Sequence, residues 1–119
     1  MMKEKIHTWL DQIEKEVRIP QYIIVLNFGL YDTERGYCIY LVGASEYDET
    51  NDGWADDVEN LPHEFFLEIE TQCDWKEFQA QVRGILADEI KLRTANTSSP
   101  FYNKIITTGF DDGELIRIV

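Results

Sequence analysis

Two stretches of the chain carry apolar residues at intervals of three and four positions, the spacing of one face of an α-helix. The first covers residues 3–17 and ends before Pro20, because proline disfavours helix in the residue before it. The second begins after Asp74, with Glu77 three positions later as in a capping box, and should end near Thr94. The apolar faces consist of Ile6, Trp9, Leu10, Ile13 and Val17 in the first helix and of Phe78, Val82, Ile85, Leu86 and Ile90 in the second.

Shorter apolar stretches predict five β-strands, at residues 22–31, 37–42, 64–70, 104–110 and 114–119. Residues 32–36 end in Gly36 and predict a hairpin turn between the first two strands. Asp111, Asp112 and Gly113 predict a second hairpin turn between the last two, because an Asp-Gly pair tolerates positive φ. Since hairpins join antiparallel strands, most of the sheet should be antiparallel.

The predicted order of elements is therefore α-β-β-β-α-β-β. Two helices with one apolar face each can cover one face of a sheet, which predicts a two-layer α+β fold with about five strands. The chain has 119 residues and shows neither an internal repeat nor a linker, so residues 1–119 should form a single domain. An apolar content of 44% is sufficient for a hydrophobic core.

The formal net charge of −12 narrows the choice of partner. Such a chain repels nucleic-acid phosphates and anionic membranes, and it attracts basic proteins and cations. No stretch approaches the ~20 apolar residues of a membrane span, and the N-terminus lacks the apolar segment of a signal peptide. The two cysteines, Cys38 and Cys73, should be reduced and largely buried. These observations predict a cytoplasmic protein that binds neither nucleic acid nor membrane.

Most of the negative charge lies in residues 46–59, which we call the acidic loop. It holds seven carboxylates in fourteen residues and no Lys or Arg. Between Gly36 and Trp75 there are eleven acidic residues and no basic one, whereas the rest of the chain has twelve acidic and eleven basic residues. The stretch is too polar for a core and lacks helical periodicity. Because long connections without secondary structure are uncommon in compact domains, a functional loop is indicated.

The acidic loop also contains part of a calcium-binding pattern. Counted from Asp48 as position 1, side-chain oxygens fall at positions 3, 5, 9 and 12, and Gly53 falls at position 6, where EF-hand loops turn sharply. Thr50 at position 3 is a weaker ligand than Asp or Asn, and the flanking segments are predicted as strand and loop rather than as helices. Calcium binding is the alternative to protein binding. Its candidate ligands are Asp48, Thr50, Asp52, Asp56 and Glu59.

Enzyme signatures are sparse in the sequence. It contains no glycine-rich phosphate-binding loop and no Gly-x-Ser-x-Gly motif. A Cys–His pair or a zinc site would need His7 or His63 beside a cysteine, and the spacing of these residues is not that of zinc ligands. His7 lies beside the apolar face of the first helix, which is typical of a boundary residue. We expect a protein that is not an enzyme and needs no cofactor.

Four segments of the chain resemble one type of protein. They are Asn27–Tyr31, Gly36–Gly43, Tyr47–Asp48 with Trp54–Ala55, and Thr108–Leu115. Together they are similar to small, acidic bacterial proteins of the immunity-protein type, from polymorphic-toxin or contact-dependent systems. The resemblance implies a cytosolic, stoichiometric inhibitor that binds a toxin domain and blocks its active site. It implies no catalytic residue.

The leading hypothesis is therefore a non-enzymatic binding protein that docks a basic protein partner through the acidic loop. A toxin nuclease domain is the most concrete candidate, because carboxylates can occupy a positive cleft built for phosphates. Carboxylates accelerate association, and aromatic side chains supply the desolvated centre of an interface. Both a monomer and a homodimer are compatible with the sequence. The predicted partner-binding residues are Tyr47, Asp48, Glu49, Asp52, Trp54, Asp56, Asp57 and Glu59.

Overall fold

The structure is a computed structural model that describes residues 2–16, 18–48, 50, 53 and 65–119. Its elements are α1 Met2–Glu16, β1 Val25–Thr33, β2 Gly36–Ala44, β3 Phe66–Glu70, α2 Trp75–Arg93, β4 Ile105–Phe110 and β5 Ile116–Arg117. The α+β class and the order α-β-β-β-α-β-β agree with the prediction. Val17 and residues 54–64 lie outside the described residues.

The five strands form one mixed sheet in the order β3-β2-β1-β4-β5. Three neighbouring pairs are antiparallel: β1 with β2, β2 with β3, and β4 with β5. The fourth pair, β1 with β4, is parallel. The mainly antiparallel character is confirmed. The strand order, with β1 at the centre and β3 at one edge, comes only from the structure.

Both helices pack on the same face of the sheet, which we call the helix-covered face. Phe28 lies at its centre, edge-to-face with Trp9 at 5.9 Å between ring centroids and 6.2 Å from the Phe101 ring. Tyr37 on β2 stacks on Phe78 of α2 at 4.2 Å. The predicted apolar faces are confirmed wherever they are described. The helix residues in this core are Ile6, Trp9, Leu10 and Ile13 of α1 and Phe78, Val82, Leu86 and Ile90 of α2.

The first strand begins at Val25, three residues later than predicted. The Ile23 N–H donates to the Pro20 carbonyl at 3.1 Å, so a turn occupies the predicted beginning of the strand. Tyr22 and Ile24 are consequently exposed, although the prediction placed both of them in the strand. At the other end the ladder continues to the pair of Thr33 with Gly36, which leaves a turn of only two residues before β2.

The predicted hairpin between β4 and β5 is present, but glycine does not act there through positive φ. The Gly113 N–H donates to the Phe110 carbonyl at 3.0 Å, which places Gly113 at the fourth position of the turn, with negative φ. Among the described residues, Asn103 is the one with a positive φ, at 61°, and it lies outside this turn. After the turn, the backbone at Glu114 and Leu115 crosses over Gly109. β5 comprises only Ile116–Arg117, shorter at both ends than the predicted strand at residues 114–119.

The other sheet face carries no described helix, and we call it the helix-free face. The Tyr40 ring on β2 lies across Gly29, its partner on β1. Its hydroxyl donates a hydrogen bond to the Asp111 carboxylate. Gly29 keeps a regular register with β2 and leaves space for this ring.

Gly29→Ala should therefore lower the free energy of unfolding by about 1–3 kcal/mol, because a Cβ would collide with the Tyr40 ring. Urea titration followed by tryptophan fluorescence measures the change. Gly84→Ala on α2 is the matched control: its Cβ would meet nothing within 4 Å, and alanine should stabilise the helix by about 0.5–1 kcal/mol. A neutral effect of Gly29→Ala would contradict the close packing of the Tyr40 ring.

Candidate functional site

Of the predicted partner-binding residues, Tyr47 and Asp48 lie in the described part of the chain. Tyr47 is partly buried against Val25 and Ala44, and the Arg117 guanidinium lies 5.6 Å from its ring centroid. Tyr47 thus contacts its own sheet, and its role as a partner anchor stays a prediction. The remaining predicted residues lie outside the described residues: Glu49, Asp52, Trp54, Asp56, Asp57 and Glu59.

Asp48 and Thr50, two of the candidate calcium ligands, hydrogen-bond to each other. Asp48 Oδ1 accepts from the Thr50 N–H at 2.9 Å and from its hydroxyl at 2.8 Å. These bonds hold the pKa of the Asp48 carboxyl below its ordinary value. In the described parts of the chain, no group of three or more His, Cys, Asp or Glu side chains is arranged to hold a metal ion. Calcium binding by the acidic loop stays a prediction.

A second acidic surface lies at the end of the sheet opposite the start of the acidic loop. The β1–β2 turn, the β3–α2 connection and the β4–β5 turn meet there, because β1, β3 and β4 all finish at this end. We call this surface the acidic end. It is separated from the start of the acidic loop by the length of β2, roughly 26 Å for eight residue steps. Asp111 in the β4–β5 turn is exposed there. The exposed carboxylates that line the surface depressions at this end belong to Asp32, Glu34, Glu70, Asp74, Asp112 and Glu114.

Two adjoining grooves of ≈ 1040 Å³ and ≈ 540 Å³ shape the acidic end. Both are lined by Asp32 and Trp75, which therefore stand between them. Among the described residues that line the grooves, Arg35 is the one Lys or Arg. Its Nη1 lies 3.4 Å from Glu70 Oε1 in a pair whose side chains are 82% and 71% exposed. An ion pair so exposed contributes little to the free energy of unfolding. The Glu70 carboxylate can therefore pair with another cation in place of Arg35 with little loss of stability.

Trp75 is the aromatic residue of the acidic end. It is the first residue of α2, which begins directly after Asp74, whose carboxylate caps the helix by accepting from the Glu77 N–H at 2.8 Å. The indole is 51% exposed and meets the Phe110 ring edge-to-face at 6.0 Å. Lys76 Nζ lies 5.6 Å from the indole centroid, so the ring already stacks with a cation. An incoming Arg or Lys can take the same position.

Three aromatic side chains form a row on the helix-free face, across β3, β2 and β1. The Phe66 and Tyr40 ring centroids are 6.4 Å apart, and those of Tyr40 and Tyr31 are 5.9 Å apart. Phe66 is 52% exposed and Tyr31 is exposed at the other end of the row. This aromatic row links the β3 edge to the acidic end, because the Tyr40 hydroxyl donates to Asp111 in the β4–β5 turn.

The two tyrosines of the row are poor acids. A hydrogen bond with Cys38, followed by burial, raises the pKa of Tyr31 to about 12. Burial, followed by the hydrogen bond to Asp111, raises the pKa of Tyr40 further still. Both hydroxyls therefore stay protonated at neutral pH. The hydroxyls are therefore suited to hydrogen bonding rather than to proton abstraction, and the tyrosine rings are suited to stacking.

A buried ionic cluster joins the two helices. Arg93 Nη1 lies 2.9 Å from Asp11 Oδ1 and 3.2 Å from Glu14 Oε2, and its Nη2 lies 3.0 Å from Glu89 Oε1. The Arg93 and Glu89 side chains are only 8% and 7% exposed. His7 Nδ1 donates to Glu89 Oε1 at 2.8 Å, so this histidine belongs to the helix boundary. These contacts hold α1 against α2 on the helix-covered side, away from the acidic end.

The cysteines are both free, Cys38 buried and Cys73 half-buried. Cys38 lies on the helix-free face opposite Tyr31 in the β1–β2 register, whereas Cys73 lies in the β3–α2 connection. His7 lies on α1, in contact with α2. Neither described cysteine is therefore paired with His7.

The acidic end was missed by sequence reasoning, which located the charge by counting acids in one window. Its carboxylates come from three separate turns, at residues 32–34, 70–74 and 111–114. A usable signal was present, because each of these turns contains at least two acidic residues. That signal has meaning only when the turns are known to meet at one end of a sheet.

Neither helix in the described part of the chain is both long and apolar enough to cross a bilayer. The described surface is instead marked by the acidic end and the aromatic row. Comparisons of the chain with protein-family models, curated proteins and solved structures find no match.

Proposed function

We propose that this protein is a non-enzymatic binding protein that docks a basic protein partner at the acidic end, with the acidic loop as a second contact. The observation that carries the proposal is the composition of the two grooves. Six exposed carboxylates and one paired arginine line the grooves around a half-exposed tryptophan, against whose indole Lys76 is the neighbouring cation. Carboxylates attract a basic partner over a distance, and Trp75 offers an apolar surface that contact would desolvate.

The partner class that best fits this surface is a toxin nuclease domain. Nucleases bind phosphates through cationic clefts, and a row of carboxylates can occupy such a cleft in place of the phosphates. The resemblance to immunity proteins supports the same assignment. The net charge of −12 supports fast, salt-sensitive association with such a cleft.

Two variants of equal net charge test the proposal. Asp32→Lys with Asp112→Lys reverses two carboxylates of the acidic end. Glu16→Lys with Asp88→Lys reverses two exposed carboxylates on the helices and is the matched control. We expect wild type and control to capture one basic protein from the source cells at low salt. With that protein purified, stopped-flow kinetics should show association at least about tenfold slower for the acidic-end variant alone.

Equal association rates for the two variants would show that only net charge matters and would remove the acidic end as the docking site. The nuclease assignment has its own measurement. The captured protein should degrade nucleic acid, and one equivalent of the wild-type chain should stop it. A captured protein without nuclease activity, or one that stays active with the chain bound, would reject the inhibitor assignment while leaving the docking site in place.

A further inference from the structure

We propose that the outer edge of β3, beyond which the described residues place no strand, receives an extended basic segment of the partner as an added antiparallel strand. This inference rests on the proposed function and deepens it, because it names the form in which the partner binds. The mode is strand addition, in which backbone hydrogen bonds supply affinity and alternate side chains supply specificity. The bound segment would extend the sheet beyond β3.

The backbone of β3 has hydrogen-bonding groups directed away from the sheet. β3 is the last strand on its side, and the described residues place no strand beyond it. The Leu41 N–H donates to the Phe65 carbonyl at 3.3 Å, and the Thr71 N–H donates to the Arg35 carbonyl at 3.1 Å. In an antiparallel ladder this alternation directs the odd-numbered groups of residues 65–71 toward β2. The N–H and C=O groups of residues 66, 68 and 70 therefore point outward.

The side chains of β3 specify an alternating partner sequence. Phe66, Glu68 and Glu70 are exposed and project from the helix-free face. Leu67 and Ile69 project from the helix-covered face and belong to the core or pack against it. In an antiparallel pair, residues directly opposite one another share a face. The added strand should therefore carry Arg or Lys opposite the glutamates and apolar residues opposite Leu67 and Ile69.

Charge favours a basic segment over a second copy of this chain. Two copies of β3 paired antiparallel would bring their glutamates together, and like charges directly opposite one another destabilise a strand pair. Glu68 has no cationic partner among the described residues, and Glu70 has only its exposed pair with Arg35. An arginine opposite Phe66 would also stack on an exposed ring.

The same segment can reach the acidic end without a change of direction. β3 finishes at Glu70, and Glu70 also lines the larger groove beside Trp75. A chain that leaves the β3 edge at this point enters the groove. One basic segment therefore contacts the edge, the groove carboxylates and the indole in succession.

The probe for this inference is a fluorescent octapeptide of alternating Arg and Val. A peptide of the same composition with four Arg followed by four Val is its control, because it has equal charge and the wrong alternation. Anisotropy should show the alternating peptide binding wild type about tenfold more tightly than the block peptide. Amide hydrogen exchange at Phe66, Glu68 and Glu70 should slow on binding. The amides of Leu67 and Ile69, which face β2, should change much less.

Glu68→Pro removes an outward N–H together with a charge, at a position whose N–H takes no part in the β2 ladder. Glu68→Gln removes only the charge and is its matched control. We expect the proline variant to weaken binding of the alternating peptide at least about tenfold and the glutamine variant about threefold. Circular dichroism checks the fold of both variants. If Glu68→Pro does not fold, hydrogen exchange on the wild-type chain decides the question.

Equal binding of the two peptides, or binding without slowed exchange at residues 66, 68 and 70, would overturn strand addition. Slowed exchange at these amides that depends on protein concentration and needs no peptide would identify a second copy as the occupant and would also overturn it. Rejecting the added strand does not reject the docking site, because the two proposals are tested by different measurements. Partner binding that is lost with Asp32→Lys and Asp112→Lys but keeps the β3 amides unprotected would retain the docking site and reject the added strand.

Discussion

Replacing Arg93 with Met should lower the free energy of unfolding by about 3–5 kcal/mol. Arg93 is nearly buried and its guanidinium contacts Asp11, Glu14 and Glu89. Without it, Glu89 keeps only the hydrogen bond from His7 among the described side chains, in a site that is 7% exposed. A buried carboxylate that has lost its main partner cannot recover its hydration, so the loss exceeds that of a surface ion pair. Chemical unfolding at pH 7 measures the change.

Arg83→Met is the matched control, because Arg83 is an exposed arginine on the same helix. It should change the free energy of unfolding by less than about 0.5 kcal/mol. Combining Arg93→Met with Glu89→Gln should cost about 0.5–3 kcal/mol less than the sum of the single changes, because the second substitution removes the uncompensated charge. Additive losses would show that the two residues do not interact. Arg93→Met should leave docking at the acidic end unchanged, since the cluster lies away from the grooves.

The same cluster predicts how stability depends on pH. Burial alone would raise the pKa of the Glu89 carboxyl, but hydrogen bonds from His7 and Arg93 hold it below its ordinary value. The folded pKa is thus lower than the unfolded value, about 4.3 for glutamate. Glu89 therefore contributes stability above that value and loses the contribution as the pH falls through the folded pKa. The stability difference between wild type and Glu89→Gln should shrink accordingly when unfolding is measured from pH 7 downward.

Phe28→Ala should have a comparable effect, a loss of about 3–5 kcal/mol. Phe28 is fully buried at the centre of the middle strand and contacts both Trp9 of α1 and Phe101. Removing its ring leaves a cavity between sheet and helix that neighbours fixed in secondary structure can fill only in part. For a domain whose total stability is about 5–15 kcal/mol, this is a large fraction. Urea unfolding at 25 °C is the measurement.

Phe66→Ala should distinguish a residue of the proposed interface from a residue of the core, by its separate effects on stability and on peptide binding. Phe66 is 52% exposed on the edge strand, so its removal should cost less than about 1 kcal/mol of stability. It should nevertheless weaken binding of the alternating Arg-Val peptide, because the exposed ring is a proposed contact. Phe28→Ala should behave in the opposite way, with impaired stability and unchanged peptide affinity in the folded protein. Equal stability losses for the two variants would contradict the assigned positions of the two rings.

The two stability predictions bear on function through the position of Trp75. This residue begins α2, and α2 is held to the sheet by core contacts and to α1 by the ionic cluster. The indole and the groove carboxylates are thus carried by elements that are anchored elsewhere. A site held in this way can bind with a small loss of conformational entropy.

Local sequence determined the secondary structure and much of the core. The helices follow from apolar spacing and from the cap at Asp74, because these signals act within one or two turns of the chain. The turn at residues 110–113 was correctly predicted from Asp-Asp-Gly, although its glycine acts at the fourth position. The beginning of β1 was predicted too early, because a run of apolar residues cannot distinguish a strand from an irregular apolar segment. The total charge and its concentration in residues 46–59 were also plain from the sequence.

Only the tertiary structure decided which distant residues share a surface. The parallel pairing of β1 with β4 brings the end of β4 beside the β1–β2 turn, about eighty residues away in sequence, and so assembles the acidic end. The partnership of His7 and Arg93 with Glu89, and the space that Gly29 leaves for Tyr40, likewise depend on contacts between separate elements. Periodicity reports the environment of a residue within its own element. Pairing and packing between elements depend on long-range contacts, which no local pattern encodes.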